Sequence, residues 1–217
     1  MERVTIFIDG SNFYHGVKEN IKKTNIDFMK FAQKLCGKRQ LCGVYYYNAP
    51  LKKEFNFEQY KTQQKFFNYI QNLPGFNLKL GHLEFREILI EKEKIILESL
   101  DGQFYEVDTI DEVKKLCKRE NTIFWGRISP TKYPIEKGVD ILLACDMLSL
   151  AYNDAYDTAI LVSGDGDFAY VIKNIKLLNK KVEVAYFPKR RCWHLRQVSD
   201  KFIPLENAFF EDLIKEK

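Results

Sequence analysis

The chain has 217 residues, 46% of them apolar and 29% charged, enough to bury one good core as one large domain or two small ones. Its 17 Phe, 12 Tyr and 2 Trp exclude wholesale disorder, because disordered chains lack that much apolar surface. The formal charge of +4 is too mild by itself to point to a nucleic-acid partner. No segment supplies the roughly 18 to 20 uninterrupted apolar residues of a membrane span. The start, Met-Glu-Arg and then Val4 to Ile8, is too short an apolar run for a signal peptide and reads as part of the fold. Cys36, Cys42, Cys117, Cys145 and Cys192 are odd in number and form no C-x-x-C pair. Reduced thiols and a cytoplasmic location are therefore expected, not a disulfide frame or a zinc site.

In chain order, Val4 to Ile8 is a continuous apolar run, the pattern of a strand buried on both faces, and it ends at Asp9-Gly10-Ser11-Asn12. A helix follows over Phe13 to Asn20, and Asn25 or Asp27 caps a second one running to about Leu35. Gln40 to Asn48 reads as the next strand. Phe57, Tyr60, Phe67 and Ile70 fit one helical face stopped near Pro74-Gly75, and Phe76 to Leu80 is again a strand. From Gly81 to about Glu136 the pattern changes to short strands at Arg86–Ile90, Lys94–Leu100 and Gln103–Val107, with Asp101-Gly102 as a hairpin signal. A short helix is expected over Asp111 to Arg119. This stretch reads as a hairpin and helix inserted at about 84–131.

The alternation of strand and helix resumes at Lys137. Ile141, Cys145, Leu148 and Tyr152 have helical spacing and are taken as the core face of that helix. Asp157 to Val162 is a buried strand, and Phe168, Val171, Ile172, Ile175 and Leu178 mark the next helix. Lys181 to Phe187 is the last clear strand. The expected fold is α/β, with a mostly parallel central sheet, forming one domain over 1–217 with the insertion inside it.

Asp9 ends the first strand, and Asp165 and Asp167 follow the strand ending at Val162, inside Ser163-Gly164-Asp165-Gly166-Asp167-Phe168. Ligands of parallel α/β sheets gather at the carboxyl ends of strands, where strand order reverses. Asp140 opens the helix after Lys137-Gly138, where the helix dipole favours negative charge. Four carboxylates converging on one crevice repel one another, and a hard divalent cation, Mg2+ or Mn2+, is the usual compensation. Taken alone, the Asp-rich loop is an ordinary turn with a helix cap. Together with Asp9 and Asp140, it is read as a metal site. Asp146, about 120° around the helix from Asp140, is assigned a structural hydrogen bond.

At these residues the chain resembles a known family. Ile6-Phe-Ile-Asp-Gly-Ser-Asn-Phe-Tyr14, the segment 137–148 (KGVDILLACDML) and the segment 163–168 (SGDGDF) are similar to motifs of the NYN domains of the PIN-like nuclease superfamily, in the LabA or DUF88 branch. The resemblance covers 1–80 and 132–205. It implies a PIN-like, Rossmann-like three-layer fold and a metal-dependent ribonuclease hydrolysing RNA phosphodiester bonds. The implied metal ligands and catalytic residues are Asp9, Asp140, Asp165 and Asp167, and Asn12 matches the D-x-x-N position, which would hold a substrate oxygen or a metal-bound water. Ser11 and Ser163 are more in keeping with turn and cap residues than nucleophiles, though either hydroxyl can touch phosphate. Lys137 reads equally as a phosphate contact or a solvated lysine.

Between Lys173 and Arg196 eight basic residues stand against Glu183 alone, so that stretch carries +7 in a chain of +4. Within it, Lys189, Arg190 and Arg191 are candidates to bind the phosphates of single-stranded RNA. Trp193, beside them, is expected in the core. The competing reading is a non-catalytic RNA-binding or scaffold protein on the same fold, and the four acids count against it. A phosphohydrolase with an aspartyl nucleophile would carry a second Asp at Ser11, and none stands there. The sequence leaves the oligomeric state, self-association included, open.

Overall fold

The computed structural model describes residues 1–53, 56–87, 95–98, 104–107, 115, 132–188 and 192–214. In chain order the strands are β1 (Arg3–Asp9), β2 (Gln40–Asn48), β3 (Phe76–Leu80), β4 (His82–Glu87), β5 (Ile95–Glu98), β6 (Phe104–Val107), β7 (Lys132–Lys137), β8 (Thr158–Val162), β9 (Lys181–Tyr186) and β10 (Lys201–Pro204). The helices are α1 (Gly10–Asn20), α2 (Phe28–Cys36), α3 (Phe57–Gln71), α4 (Val139–Tyr152), α5 (Ala169–Leu177), α6 (Trp193–Val198) and α7 (Asn207–Phe210), with a 3-10 turn at Gly166–Phe168. No helix among the described residues is long and apolar enough to cross a membrane.

Six strands form one sheet in the order β10-β9-β8-β1-β2-β3, and each of its neighbouring pairs is parallel. The chain builds outward from β1 through β2 to β3, then restarts at β8 on the other flank of β1. Strand order therefore reverses between β1 and β8, and their carboxyl ends border the crevice where such sheets bind ligands. Ile8 pairs with Val162, so Asp9 and Ser163 leave the sheet side by side.

The central strands are buried on both faces, which is why they read as unbroken apolar runs. On one face, Ile6, Ile8, Val44, Ile160 and Val162 meet Phe13, Phe28, Phe31, Phe187 and Phe210. On the other, Phe7 lies between Tyr45 and Tyr156, and the Tyr156 hydroxyl donates to the Met147 carbonyl of α4 at 2.7 Å. Helices thus cover both sides of the sheet. Asp27 and Asn56 cap α2 and α3 by accepting the backbone N–H of Lys30 and Gln59.

The chain divides into two compact units, one of 1–83 with 136–217 and one of 84–135. Strands β4 and β7, whose outer residues belong to the first unit, pair with each other, and within the second unit β5 runs antiparallel to β6. The turn expected at Asp101-Gly102 and nearly all of the helix expected over Asp111–Arg119 lie outside the described residues.

Several expectations are corrected. The α4 helix is where the spacing put it, but its buried face is Val139, Leu143, Met147 and Ala151, while Ile141 and Tyr152 are 69% and 80% exposed. The cause is composition: this helix is apolar on nearly every side, so two stripes of equal apparent quality exist and only packing on Phe7 and Tyr156 chooses. Trp193 is 63% exposed instead of buried, because Leu195 occupies the inward position on the short helix α6. Phe57 is exposed in the first turn of α3, where Phe67 and Ile70 make the core contact. The sheet also extends past β9 to β10, a four-residue edge strand ending in Pro204 that lacks the length of an apolar run. The strand expected at Arg86–Ile90 begins earlier, at His82.

Candidate active site

Asp9 is the last residue of β1 and also the N-cap of α1. Its Oδ1 accepts the Asn12 backbone N–H at 3.0 Å, and its Oδ2 accepts the Ser163 hydroxyl at 2.9 Å. The strand passes into the helix with no linker, and this needs glycine at position 10. A Cβ there would stand 2.5 Å from the Tyr47 carbonyl oxygen and 2.6 Å from the Tyr46 ring. The motif Asp-Gly-Ser-Asn is thus a steric requirement of the fold as well as a source of ligating atoms.

The β8 side mirrors it. Ser163 accepts the Asp165 backbone N–H at 3.1 Å while donating to Asp9, and Asn12 Oδ1 accepts the Gly164 N–H at 3.2 Å. Asp165 then accepts the Asp167 N–H at 2.9 Å and caps the 3-10 turn. The two loops are therefore latched by Asn12 and Ser163, and the one hydroxyl proton of Ser163 is already committed to Asp9. Asp140 enters from the first turn of α4, after Gly138 at φ 78°, a left-handed turn that suits a residue without Cβ.

These acids sense one another. Burial pushes the Asp9 carboxyl up to about 6, the Asn12 and Ser163 donors oppose that rise, and the charges of Asp140 and Asp165 add to it. Asp140 is likewise raised, by burial first and then by Asp165 and Asp167. Asp167 is exposed and is felt through Asp140, which makes it the outermost of the four. All four sequence-derived acids thus belong to one electrostatic group.

A fifth member was not anticipated. Glu136, near the end of β7 and four residues before Asp140, is surface-exposed as a whole residue. Its carboxyl is nonetheless pushed up to about 7, by partial burial and then by the charge of Asp9, with Asp140 adding and a hydrogen bond from Ser11 opposing. The signal was present, since Glu136, like Asp9, is a carboxylate at the carboxyl end of a strand. Pro134 hid it, because proline within a short run argues against a strand.

Other positions separate from this group. Asp146 accepts the Tyr47 hydroxyl at 2.9 Å, with the Lys79 ammonium at 3.8 Å, and so has the structural hydrogen bond expected of it. Lys137 ends β7, half-buried, with no carboxylate partner among the described residues. Lys189, Arg190 and Arg191 lie outside the described residues. The +7 stretch is also less free than its count suggests, because Lys176 pairs with Asp200 at 2.7 Å and Lys180 with Asp154.

The donor set facing the crevice is all oxygen. Each Asp9 oxygen has one donor and keeps lone-pair capacity. Among the described residues no three His, Cys, Asp or Glu side chains are gathered into a group that could hold a metal ion as they stand. The chemistry of the donors, mutually repelling carboxylate oxygens, is of the kind that a hard cation such as Mg2+ compensates.

No curated protein matches the chain. Among solved structures, the fold is similar to the crystal structure of a protein of unknown function from Vibrio parahaemolyticus, at a TM-score of 0.58 and 20% identity, covering 99% of this chain and 96% of that one. The family model described as "NYN domain" matches residues 3–206, a span that contains both flanks of the crevice and all five acids. The chain belongs to the NYN domain family, within the PIN-like nuclease superfamily.

Proposed function

We propose that this protein is a divalent-metal-dependent ribonuclease of the LabA/DUF88 branch, hydrolysing phosphodiester bonds of single-stranded RNA. We take the whole chain as one NYN domain with the segment at about 84–131 inserted in it. The observation that carries the reading is the electrostatic coupling of Asp9, Glu136, Asp140 and Asp165 at the β1/β8 switch point. PIN-like nucleases typically use divalent metals, and NYN domains are generally nucleases.

Asp9, Asp140 and Asp165, with Glu136 beside them and Asp167 at the rim, would hold Mg2+ or Mn2+. When bound, such an ion supplies charge neutralisation at the scissile phosphate and a more acidic water. The chain's own residues do the rest. Ser163 and the Asn12 backbone orient the Asp9 carboxylate, and the Asn12 side chain ties the β8 loop to α1. Burial and mutual repulsion favour the protonated forms of Glu136 and Asp9, which would relieve part of the negative charge when no cation is bound. Asn12 Nδ2 and Lys137 are the assigned substrate contacts. Lys189, Arg190 and Arg191 are assigned to draw in the strand, since carboxylates alone would repel phosphate.

A cleavage assay on labelled RNA and DNA, with and without Mg2+ or Mn2+, tests this on wild type and Asp165→Asn. The expected outcome is metal-dependent RNA cleavage lost in the variant. RNA binding without cleavage under any metal would turn the reading to the non-catalytic alternative.

A further inference from the structure

Trp193 and His194 form a pair that the nuclease chemistry does not use. The indole and imidazole centroids are 5.0 Å apart with the rings at 78°, edge to face. His194 lies against the loop of the acids. A Cβ added at Gly166, between Asp165 and Asp167, would be 3.6 Å from His194 Cδ2 and 3.8 Å from His194 Cβ. The helix that carries the pair is anchored by Leu195, fully buried, and by buried Cys192, so Trp193 is turned outward. Three residues on, and about 60° around the helix, stands Arg196, exposed and with no carboxylate partner among the described residues. Lys176 and Lys180 of the same basic stretch are, by contrast, committed to Asp200 and Asp154.

A single exposed aromatic is ordinary on a protein surface. This one is distinguished by its surroundings: a second ring braced against it, a guanidinium on the same face, and the Asp165–Asp167 loop under its partner. Stacking on an aromatic beside a cationic group is how proteins hold unpaired bases, and bases inside a duplex have no free face to offer. We propose that the Trp193–His194 pair, with Arg196, is a stacking platform that seats one nucleobase of a single-stranded nucleic acid next to the carboxylate crevice. Resting on the nuclease reading, it gives the single strand assigned to that site a base contact beside the crevice.

The chain has two tryptophans, Trp125 and Trp193, and Trp125 lies outside the described residues. In Trp125→Phe, Trp193 is the only indole emitter. With EDTA present, so that nothing is cleaved, titration with oligoadenylate should quench that emission, and the same oligomer annealed to its complement should not. In fluorescence anisotropy, Trp193→Ala should weaken oligoadenylate binding roughly five- to hundredfold, while Trp193→Phe stays near wild type. The proposal is overturned by unchanged affinity in Trp193→Ala, by an unquenched Trp125→Phe protein, by equal quenching with duplex, or by a wild type that binds no single strand. Failure of the two readings is separable. Cleavage with Trp193-independent binding sinks the platform alone, and Trp193-dependent binding without cleavage sinks the catalytic reading alone.

Discussion

Ser163 donates its hydroxyl proton to Asp9 Oδ2 at 2.9 Å across the boundary between β8 and β1. The same oxygen of Ser163 receives the Asp165 N–H, so one side chain, 154 residues from Asp9 in sequence, ties together the acid that ends β1 and an acid of the loop after β8. Removing it leaves a buried carboxylate oxygen short of a donor. Ser163→Ala should therefore lower stability by about 1–3 kcal/mol in urea denaturation and push the Asp9 carboxyl further up. An unchanged midpoint would mean that water replaces the hydroxyl at no cost.

Stability should fall with pH through the titration of Asp9. Its carboxyl rises from 3.8 to about 6 on folding, so the native state binds more protons than the unfolded state between those values. Stability from this group is complete below about pH 4 and is lost as pH rises through 6, an effect on the order of 3 kcal/mol. Glu136, raised to about 7, extends the same slope upward. Asp157, lowered to about 2 by Arg3, acts oppositely but at lower pH. Denaturation midpoints measured from pH 4 to pH 7 should decline in wild type and flatten in Asp9→Asn; parallel curves would contradict the assignment.

Cation binding should release protons. Mg2+ or Mn2+ displaces the proton held by Glu136 and Asp9, so titration near pH 6–7 in weak buffer should acidify the solution and raise the melting temperature. Glu136→Gln should release fewer protons, and Asp165→Asn should lose most of the thermal shift. If both variants respond as wild type does, the metal lies elsewhere.

The basic cluster and the acids should separate in binding measurements. Replacing Lys189, Arg190 and Arg191 together by Ala should flatten the salt dependence of RNA binding by about 0.7 in log–log slope for each phosphate no longer neutralised. The cation-induced thermal shift should survive. A wild-type slope in this variant would leave the three residues as solvated surface.

The corrected face of α4 makes a simple stability contrast. Leu143→Ala removes a fully buried side chain and should cost about 2–5 kcal/mol, whereas Ile141→Ala, on the exposed side, should stay within about 0.5 kcal/mol. Equal costs at the two positions would restore the face inferred from spacing.

What the sequence by itself determined was carried by local signals. Continuous apolar runs marked β1 and β8, because strands buried on both faces must be apolar at nearly every position. Asp9-Gly10-Ser11-Asn12 and Ser163 to Phe168 stood at strand ends, and a parallel sheet alone brings such ends together. Tertiary structure decided the remainder. Which stripe of α4 is core depended on Phe7 and Tyr156, residues outside that helix. Glu136 joined the acids only because β7 delivers it to them past a proline that spoils the local pattern. Trp193 faces outward because Leu195 takes the one inward position on a six-residue helix. Each of these is a competition between equivalent local choices, and only contacts made across the whole chain supply the free energy that breaks the tie.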